Sequence, residues 1–290
     1  MKIGIGLPAW IPGVQGFFVL EWARAADSGP FSSLGLIDRV VYANYEPLIA
    51  LAGAAGATQR IRLVTTVLLA PLRETTLLAK QTATLDALAG GRLTLGLGIG
   101  AREDDFSATG SEFHKRGKRF DQQLEVLSRV WSGEALSAEI GPIGPAPAAP
   151  GGPEILLGGY SPTAARRVAR WGHGFMAGGG DPHGANQFFR HAETAWSEAG
   201  RPGKPRLVGC AYFALGTDAA ERGAAPLRAY YSFAPERAQG ISSSLPSSVE
   251  KIRALIQAYE DIGTDELILW ATIPDLEQVA RLADMLGSQQ

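Results

Sequence analysis

The chain has 290 residues, with 27 Lys and Arg against 29 Asp and Glu, and a net charge of -2. This near-neutral balance excludes the basic surface that nucleic acid or an anionic membrane would require, so we expect neither as a partner. Hydrophobic residues make up 46% and charged residues 19% of the chain, a globular composition that excludes disorder for most of it.

Eight short apolar runs are predicted to be strands, because their length and their content of Ile, Leu and Val fit buried β-structure. Several are apolar throughout, which is typical of parallel strands covered on both faces. The predicted strands are Lys2–Leu7, Ser33–Ile37, Ile61–Ala70, Leu93–Ile99, Glu154–Leu157, Gly174–Ala177, Leu207–Leu215 and Glu266–Thr272.

Amphipathic segments alternate with these runs and are predicted to be helices. One of them begins at a capping box formed by Ser247 and Glu250. The clearest helical segments are Glu46–Thr58, Thr75–Leu88, Gly117–Trp131 and Val249–Ile262, and further helical stripes begin at Phe18, Ala164 and Leu276.

The alternation of about eight strands with about eight helices predicts a (β/α)8 TIM barrel that forms a single domain over residues 1–290. A doubly wound open sheet is the alternative, although it usually has fewer strands. The proline-rich stretch Gly141–Pro153 is interpreted as a loop within the barrel. Barrel enzymes carry their sites where the strands end, which directs attention to the loops that follow each predicted strand.

A glycine-rich segment ends the fourth predicted strand. The run Gly96–Ala101 matches the dinucleotide fingerprint GxGxx(G/A). That fingerprint needs a helix to begin at once, whereas Arg102–Lys115 is charged and shows no helical stripe. We therefore favour two other interpretations of Gly98, Ile99 and Gly100: space for a flat ring against the backbone, or tight packing in the barrel.

Two neighbouring strand ends indicate an anion site. Gly158, Gly159 and Tyr160 follow the fifth strand, and Ser161 stands where it can cap the next helix. Exposed backbone amides at a helix start suit a phosphate, although an ordinary capped turn has the same sequence. Gly178–Gly179 exposes more backbone at the end of the sixth strand.

Few side chains outside these segments suggest chemistry. Asp38 ends the second strand and is a candidate for proton transfer or for orienting a ring nitrogen. His114 is the one histidine considered as catalytic, although its charged surroundings also fit solvated surface. The carboxylates of Glu103–Asp105 are expected to face water, and Cys210 is expected to be a buried, inert thiol within a strand.

Metal and export signals are lacking. The four histidines have no metal-ligand spacing, and a single cysteine excludes a disulfide framework. Glycine and proline interrupt the first residues before an apolar signal core forms, and no run reaches the ~18 apolar residues of a membrane span. We therefore expect a cytoplasmic protein. Aromatic residues near the strand ends are interpreted as an apolar cleft for a flat organic substrate: Trp10, Tyr42, Tyr45, Phe106, Phe113, Tyr160 and Trp270.

Taken together, several segments resemble the bacterial luciferase-like flavin-dependent oxidoreductases. The resemblance spans nearly the whole chain and is specific for the superfamily. The matching segments are Glu46–Ala52, Ile61–Arg73, Leu78–Asp86, Gly90–Gly100, Arg102–Phe106, Arg116–Gly117, Gly158–Pro162 and Asp265–Trp270.

The resemblance implies a (β/α)8 barrel that binds FMN or the deazaflavin coenzyme F420 at the carboxyl ends of its strands. It assigns the ring to Thr65, Thr66 and Val67, with a cis peptide bond between Thr66 and Val67, and to the segment around Gly98–Gly100. It assigns the phosphate to Gly158–Ser161, with Gly178 and Gly179 nearby, and it places Asp38 close to the ring.

Two departures from the family pattern stand out. Many deazaflavin-dependent relatives have a histidine after the aspartate, where this chain has Arg39, so their proton-transfer mechanism does not carry over. Many relatives also have an aromatic residue where this chain has Ala101, which predicts a wider pocket. The segment Phe233–Ser247 is interpreted as a lid or as surface loop.

The first functional hypothesis is a monooxygenase. A reduced flavin, supplied by a separate flavin reductase, would react with O2 beside a small organic substrate in a dry cleft. The alternatives are F420-dependent hydride transfer, a non-catalytic flavin-binding protein, and a barrel isomerase or lyase acting on a phosphorylated substrate. The resemblance also implies a homodimer formed through helices.

Overall fold

The computed structural model describes residues 1–288 as a closed barrel of eight parallel strands in the order β1 to β8, with each strand paired to its neighbours in sequence and β1 paired to β8. All eight predicted strands are confirmed. The strands are β1 (Lys2–Gly6), β2 (Ser33–Leu36), β3 (Arg62–Leu69), β4 (Leu93–Gly98), β5 (Glu154–Gly158), β6 (Gly174–Ala177), β7 (Arg206–Phe213) and β8 (Glu266–Ala271).

Helices connect the strands on the outside of the barrel. They are α1 (Gly16–Ser28), α2 (Pro47–Ala57), α3 (Thr75–Leu88), α4 (Glu103–Thr109), α5 (Arg116–Trp131), α6 (Pro162–Trp171), α7 (Pro182–Glu198), α8 (Ala219–Tyr230), α9 (Pro235–Ser243), α10 (Val249–Asp261) and α11 (Glu277–Gly287). The proline-rich stretch is a loop between α5 and β5, as expected.

Two layers of apolar side chains hold these elements together. Successive residues on a strand point to opposite faces, so a run that is apolar throughout supplies both layers. On β3, for example, Leu63 packs in the cluster shared with the helices, whereas Val64 packs in the barrel interior with Leu156, Val208 and Ile268.

The amino ends of the strands are closed by buried charges. Arg206 on β7 pairs with Glu154 on β5 and with Glu266 on β8. The Ser33 hydroxyl donates to Glu266 at 2.7 Å, and the Thr94 hydroxyl donates to Glu154 at 2.8 Å. This network, here called the lower network, leaves the carboxyl ends of the strands as the open side of the barrel.

Three local features differ from the sequence predictions. Residues 102–115 are not free of helix, because α4 covers seven of them and is followed by Gly110, which adopts a positive φ of 66°. The segment Phe233–Ser247, interpreted as a lid or as surface loop, is not all loop, because it contains helix α9. Helix α10 is capped by Ser248, whose hydroxyl accepts the Lys251 amide at 3.3 Å, so its start lies one residue after the predicted Ser247.

Candidate active site

A cavity of about 420 Å³ opens at the carboxyl ends of the strands, within the size range of small-molecule sites. It collects segments from β2 through β8, which are distant in sequence. Eleven of the twelve predicted cofactor-binding residues line it: Thr66, Val67, Gly98, Ile99, Gly100, Gly158, Gly159, Tyr160, Ser161, Gly178 and Gly179.

One wall of the cavity is a platform built on a bulge of β3. The pairing of β3 with β4 shifts register between Thr65 and Leu68, and the Thr66–Val67 peptide bond is cis, as the resemblance implied. An added Cβ at Gly98 would lie 2.7 Å from one methyl carbon of Val67. An added Cβ at Gly158 would lie 3.2 Å from the other methyl carbon. The glycines therefore leave room for the Val67 side chain, which forms the surface of this wall.

Thr65, the twelfth predicted residue, does not line the cavity. Its hydroxyl donates to the Gly96 carbonyl of β4 at 2.7 Å, so it serves the sheet. The neighbouring Thr66 does line the cavity, and its buried hydroxyl has no hydrogen-bond partner among residues 1–288. Since buried polar groups are usually paired, this hydroxyl is available to a ligand.

The mouth of the cavity is positively charged. Ser161 lines the cavity and caps α6 by accepting the Ala164 amide at 3.4 Å, so the start of this helix lies at the mouth. Arg116 and Arg237 also line the cavity, and neither forms an ion pair with a carboxylate within the described chain. Arg167 lies there too, but Asp121 neutralises it at 2.6 Å. A single phosphate suits this end of the cavity.

Asp38 lines the cavity, but its carboxylate is already engaged. One oxygen accepts the Leu69 amide at 2.8 Å and the Arg73 guanidinium at 2.6 Å, and the other accepts a second Arg73 donor at 3.3 Å. Burial alone would lower the pKa of Arg73, but the carboxylates of Asp38 and Glu46 raise it. Asp38 is therefore bound to a permanent cation and anchors the end of β3, in place of the catalytic role that we expected.

Aromatic side chains form the wall opposite the platform. Of the seven aromatic residues expected here, only Tyr160 and Trp270 line the cavity. Four others were missed by sequence reasoning because they lie in β7 and in the segment around the end of α8: Tyr212, Tyr230, Tyr231 and Phe233. Apart from Tyr160 and Phe233, these rings are buried.

The sequence profile of the family described as "Luciferase-like monooxygenase" matches residues 17–280 of the chain. The chain belongs to this family. An uncharacterized protein of Mycobacterium tuberculosis is 30% identical over 213 residues, which cover 63% of this chain and 73% of that protein. The luciferase-like family includes flavin monooxygenases and F420-dependent oxidoreductases.

Solved structures of luciferase-like enzymes share the fold. The crystal structure of monooxygenase RslO1 from Streptomyces bottropensis superposes with a TM-score of 0.79 at 24% identity, covering 99% of this chain and 98% of that one. An F420-dependent secondary alcohol dehydrogenase in complex with an F420-acetone adduct gives 0.76 at 17% identity, covering 96% and 95%. At these identities the likeness establishes the barrel and no more.

His114, a predicted catalytic residue, lies outside the luciferase-like cavity. It is exposed on the turn before α5, with its ring 5.5 Å from that of Phe113. It cannot touch a ligand in the cavity, so the structure does not support a catalytic role.

The acidic run after β4 is not solvated throughout, contrary to expectation. Asp105 is fully buried and accepts the amides of Val40 and Val41 at 2.9 and 2.8 Å, together with Arg102 at 2.8 Å. Its carboxylate fixes the loop after β2 against α4. The only signal for this role in the sequence is Arg102, three residues before Asp105. Sequence alone does not distinguish such a pair from an ion pair on the surface.

The segment joining α8 to α9 covers the cavity. Arg39 donates to the Tyr230 carbonyl at 2.6 Å, and its guanidinium lies 5.1 Å from the Phe233 ring. Arg102 lies 5.3 Å from the same ring. Arg39, which replaces the histidine of many deazaflavin-dependent relatives, therefore holds this cover in place.

Two further expectations concern absent features. No helix within residues 1–288 is long and apolar enough to cross a membrane. The same residues contain no cluster of three or more His, Cys, Asp or Glu side chains that could hold a metal ion. Cys210 is buried on β7 at the cavity, and burial raises the pKa of its thiol, in agreement with an inert cysteine.

Proposed function

We propose that the protein is a flavin-dependent monooxygenase that uses reduced FMN and O2 on a small organic substrate. The observation that carries this proposal is the division of one cavity into a flat, glycine-walled platform and a positively charged mouth. A flavin ring fits the first part, and its single phosphate fits the second. The unpartnered hydroxyl of Thr66 is available to the ring edge.

In this proposal, the residues around the platform bind the flavin and orient its ring. Val67 would support the flavin ring, and Gly98 and Gly158 leave the room that the Val67 methyl groups need. Trp270 and Tyr212, which are buried on the opposite side, keep water away from the space between ring and substrate. The bound flavin, once reduced, supplies the electrons that activate O2.

Proton chemistry favours oxygenation over hydride transfer from an alcohol. Removing hydride from an alcohol requires a nearby group that accepts the hydroxyl proton. Among residues 1–288, no histidine lines the cavity, and Asp38 is bound to Arg73. Burial raises the pKa of Tyr212 and Tyr230, so both remain neutral phenols. The cavity therefore offers no free base.

The partner that reduces the flavin is also part of the proposal. The proposed reaction consumes FMN that is already reduced, and the resemblance to luciferase-like oxidoreductases implies a separate enzyme that supplies it. We therefore propose that a separate flavin reductase delivers FMN already reduced.

The test is anaerobic equilibrium dialysis of the protein against reduced FMN, reduced riboflavin and reduced F420. Reduced FMN should bind about tenfold more tightly than reduced riboflavin, because a charge-assisted phosphate contact contributes about 1.5 kcal/mol or more. Tighter binding of F420 than of FMN would instead support deazaflavin-dependent hydride transfer. Binding of none of the three would overturn the cofactor assignment.

Arg237→Gln sharpens the test. Arg237 reaches the mouth from α9, close to Gly179, and its loss should lower FMN affinity about tenfold while leaving riboflavin affinity unchanged. The matched control is Arg166→Gln, an exposed arginine of α6 that donates to Thr163 and does not line the cavity. An equal loss for FMN and riboflavin in the Arg237 variant would place the phosphate elsewhere.

A further inference from the structure

Four rings on the β7–β8 side of the cavity form what is here called the aromatic corner: Tyr212, Tyr230, Tyr231 and Trp270. The rings of Tyr212 and Trp270 are 5.2 Å apart. Tyr231 stands nearly perpendicular to Tyr212, at 87°, and to Tyr230, at 82°. A corner of perpendicular rings offers a face and an edge at once, which is how a flat aromatic ring packs best.

The Tyr212–Tyr231 pair contains one hydroxyl proton without an acceptor. The hydroxyl groups of Tyr212 and Tyr231 lie 3.0 Å apart, and neither has another hydrogen-bond partner among residues 1–288. Each phenol carries one proton, and the bond between them uses only one of the two. The second proton is therefore available to an oxygen of a ligand beside the pair. Leaving such a buried donor unpaired costs about 1–3 kcal/mol.

Two cations lie beside the corner. The guanidinium of Arg237 lies 5.3 Å from the Tyr231 ring, and that of Arg39 lies 5.5 Å from the Tyr230 ring. Burial raises the pKa of Tyr212, Tyr230 and Tyr231, so the three phenols remain neutral. A cationic group at this end would lose its hydration without gaining a counter-charge, so the part of the ligand that enters carries no positive charge.

We propose that the substrate is a flat aromatic compound that carries a carbonyl or phenolic oxygen and no positive charge, and that the Tyr212–Tyr231 hydroxyl pair selects it by donating to that oxygen. The assignment of this compound as a substrate rests on the proposed function. Its binding does not, because the corner is formed by the protein alone.

The experiment compares three probes on the flavin-free protein by equilibrium dialysis. They are 1-naphthol, which has ring and oxygen, naphthalene, which has the ring alone, and decanal, which has an oxygen on a flexible chain. We expect 1-naphthol to bind about tenfold more tightly than naphthalene, since a net hydrogen bond of about 1.5 kcal/mol corresponds to that ratio. Decanal should bind more weakly than 1-naphthol.

The decisive variant replaces both hydroxyls, Tyr212→Phe with Tyr231→Phe. Either single variant keeps one phenol of the pair that can still donate, whereas the double variant removes both hydroxyl groups of the pair. The ratio of 1-naphthol to naphthalene affinity should fall from about ten to about one. Naphthalene affinity itself should not change, because both rings remain.

Tyr42→Phe is the matched control. Tyr42 also has a buried hydroxyl without a partner, and its ring packs 5.2 Å from Tyr230, but it does not line the cavity. Loss of the Tyr42 hydroxyl should leave the ratio of 1-naphthol to naphthalene affinity unchanged. A ratio that survives the double variant, or decanal binding more tightly than 1-naphthol, would overturn the proposal. Failure of reduced FMN to bind, with these ratios intact, would instead overturn the proposed function alone.

Discussion

The two ends of the barrel use polar side chains in opposite ways. At the amino ends of the strands, Arg206 lies between Glu154 and Glu266, and neighbouring hydroxyls take up the remaining acceptors. At the carboxyl ends, Thr66, Trp10 and Trp270 keep buried polar atoms without partners in the described chain. The comparison teaches that a charge network closes one end of the barrel, whereas Thr66 and Trp270 place unpaired polar atoms at the cavity wall, where a ligand can pair with them.

The largest expected effect is at the lower network. Arg206→Ala leaves the buried Glu266 without its cation and leaves Glu154 with Arg62 alone, and removing one partner of a buried pair costs about 3–5 kcal/mol. Urea unfolding followed by circular dichroism should show a loss of this size in the free energy of unfolding. Arg222→Ala, on the exposed side of α8, is the control and should change it by less than about 0.5 kcal/mol. A loss below about 1 kcal/mol at Arg206 would mean that the network does not close the barrel.

A smaller effect is expected where the barrel meets the cavity. A Cβ at Gly6 would lie 1.6 Å from the Trp270 ring, so Gly6→Ala must displace the indole, and overpacking of this kind costs about 1–3 kcal/mol. Urea unfolding should record the loss in the free energy of unfolding, and near-UV circular dichroism should record the altered environment of Trp270.

Gly56→Ala gives the opposite sign and serves as the control. Gly56 lies in helix α2 with no atom within 4 Å of an added Cβ, so alanine should stabilise the helix by about 0.5–1 kcal/mol. If neither substitution changed the free energy of unfolding, packing against Trp270 would not require a glycine at position 6 of β1.

The smallest effect is a dependence on pH. Burial alone would raise the pKa of Glu154, but Arg206, Thr94 and Arg62 lower it below its ordinary value of 4.5. The stability that this carboxylate contributes is therefore present above pH 4.5 and is lost as the pH falls through the lower pKa of the folded state.

The free energy of unfolding should be measured across pH 3 to 7 for Glu154→Gln and for the natural chain. The amount by which the variant is less stable should shrink toward low pH. Glu125→Gln, at an exposed position of α5, should show a constant difference over the same range. A Glu154 deficit that stayed constant would argue against a charged contact in the lower network.

Local pattern was enough for the fold and for the platform. The eight apolar runs are continuous because parallel strands are buried on both faces, so composition alone located them. Glycines at the ends of β4 and β5 marked the cavity wall, because only glycine leaves room for Val67 there. Thr65 was included wrongly since its neighbour Thr66 has the same chemistry, and only the sheet pairing distinguishes their roles.

Partners distant in the chain were not predictable. Asp105 was read as solvated, although it binds amides 64 and 65 residues away. Asp38 was read as catalytic because its ion pair with Arg73 is not visible in the sequence. His114 drew attention by residue type alone, and the exposed position of its side chain was decided by the turn before α5.

The sequence by itself determined the barrel, the family and the glycine-walled platform, since each depends on short-range periodicity or on a contiguous motif. Only the tertiary structure decided which charges are free and which are paired. It also brought Arg237 of α9 to the mouth of the cavity, and it joined Tyr212 of β7 to Tyr231 in one hydrogen-bonded pair. The physical reason is that closing the barrel places strand ends and loops side by side. Ion pairs and hydrogen bonds between residues distant in sequence depend on that proximity.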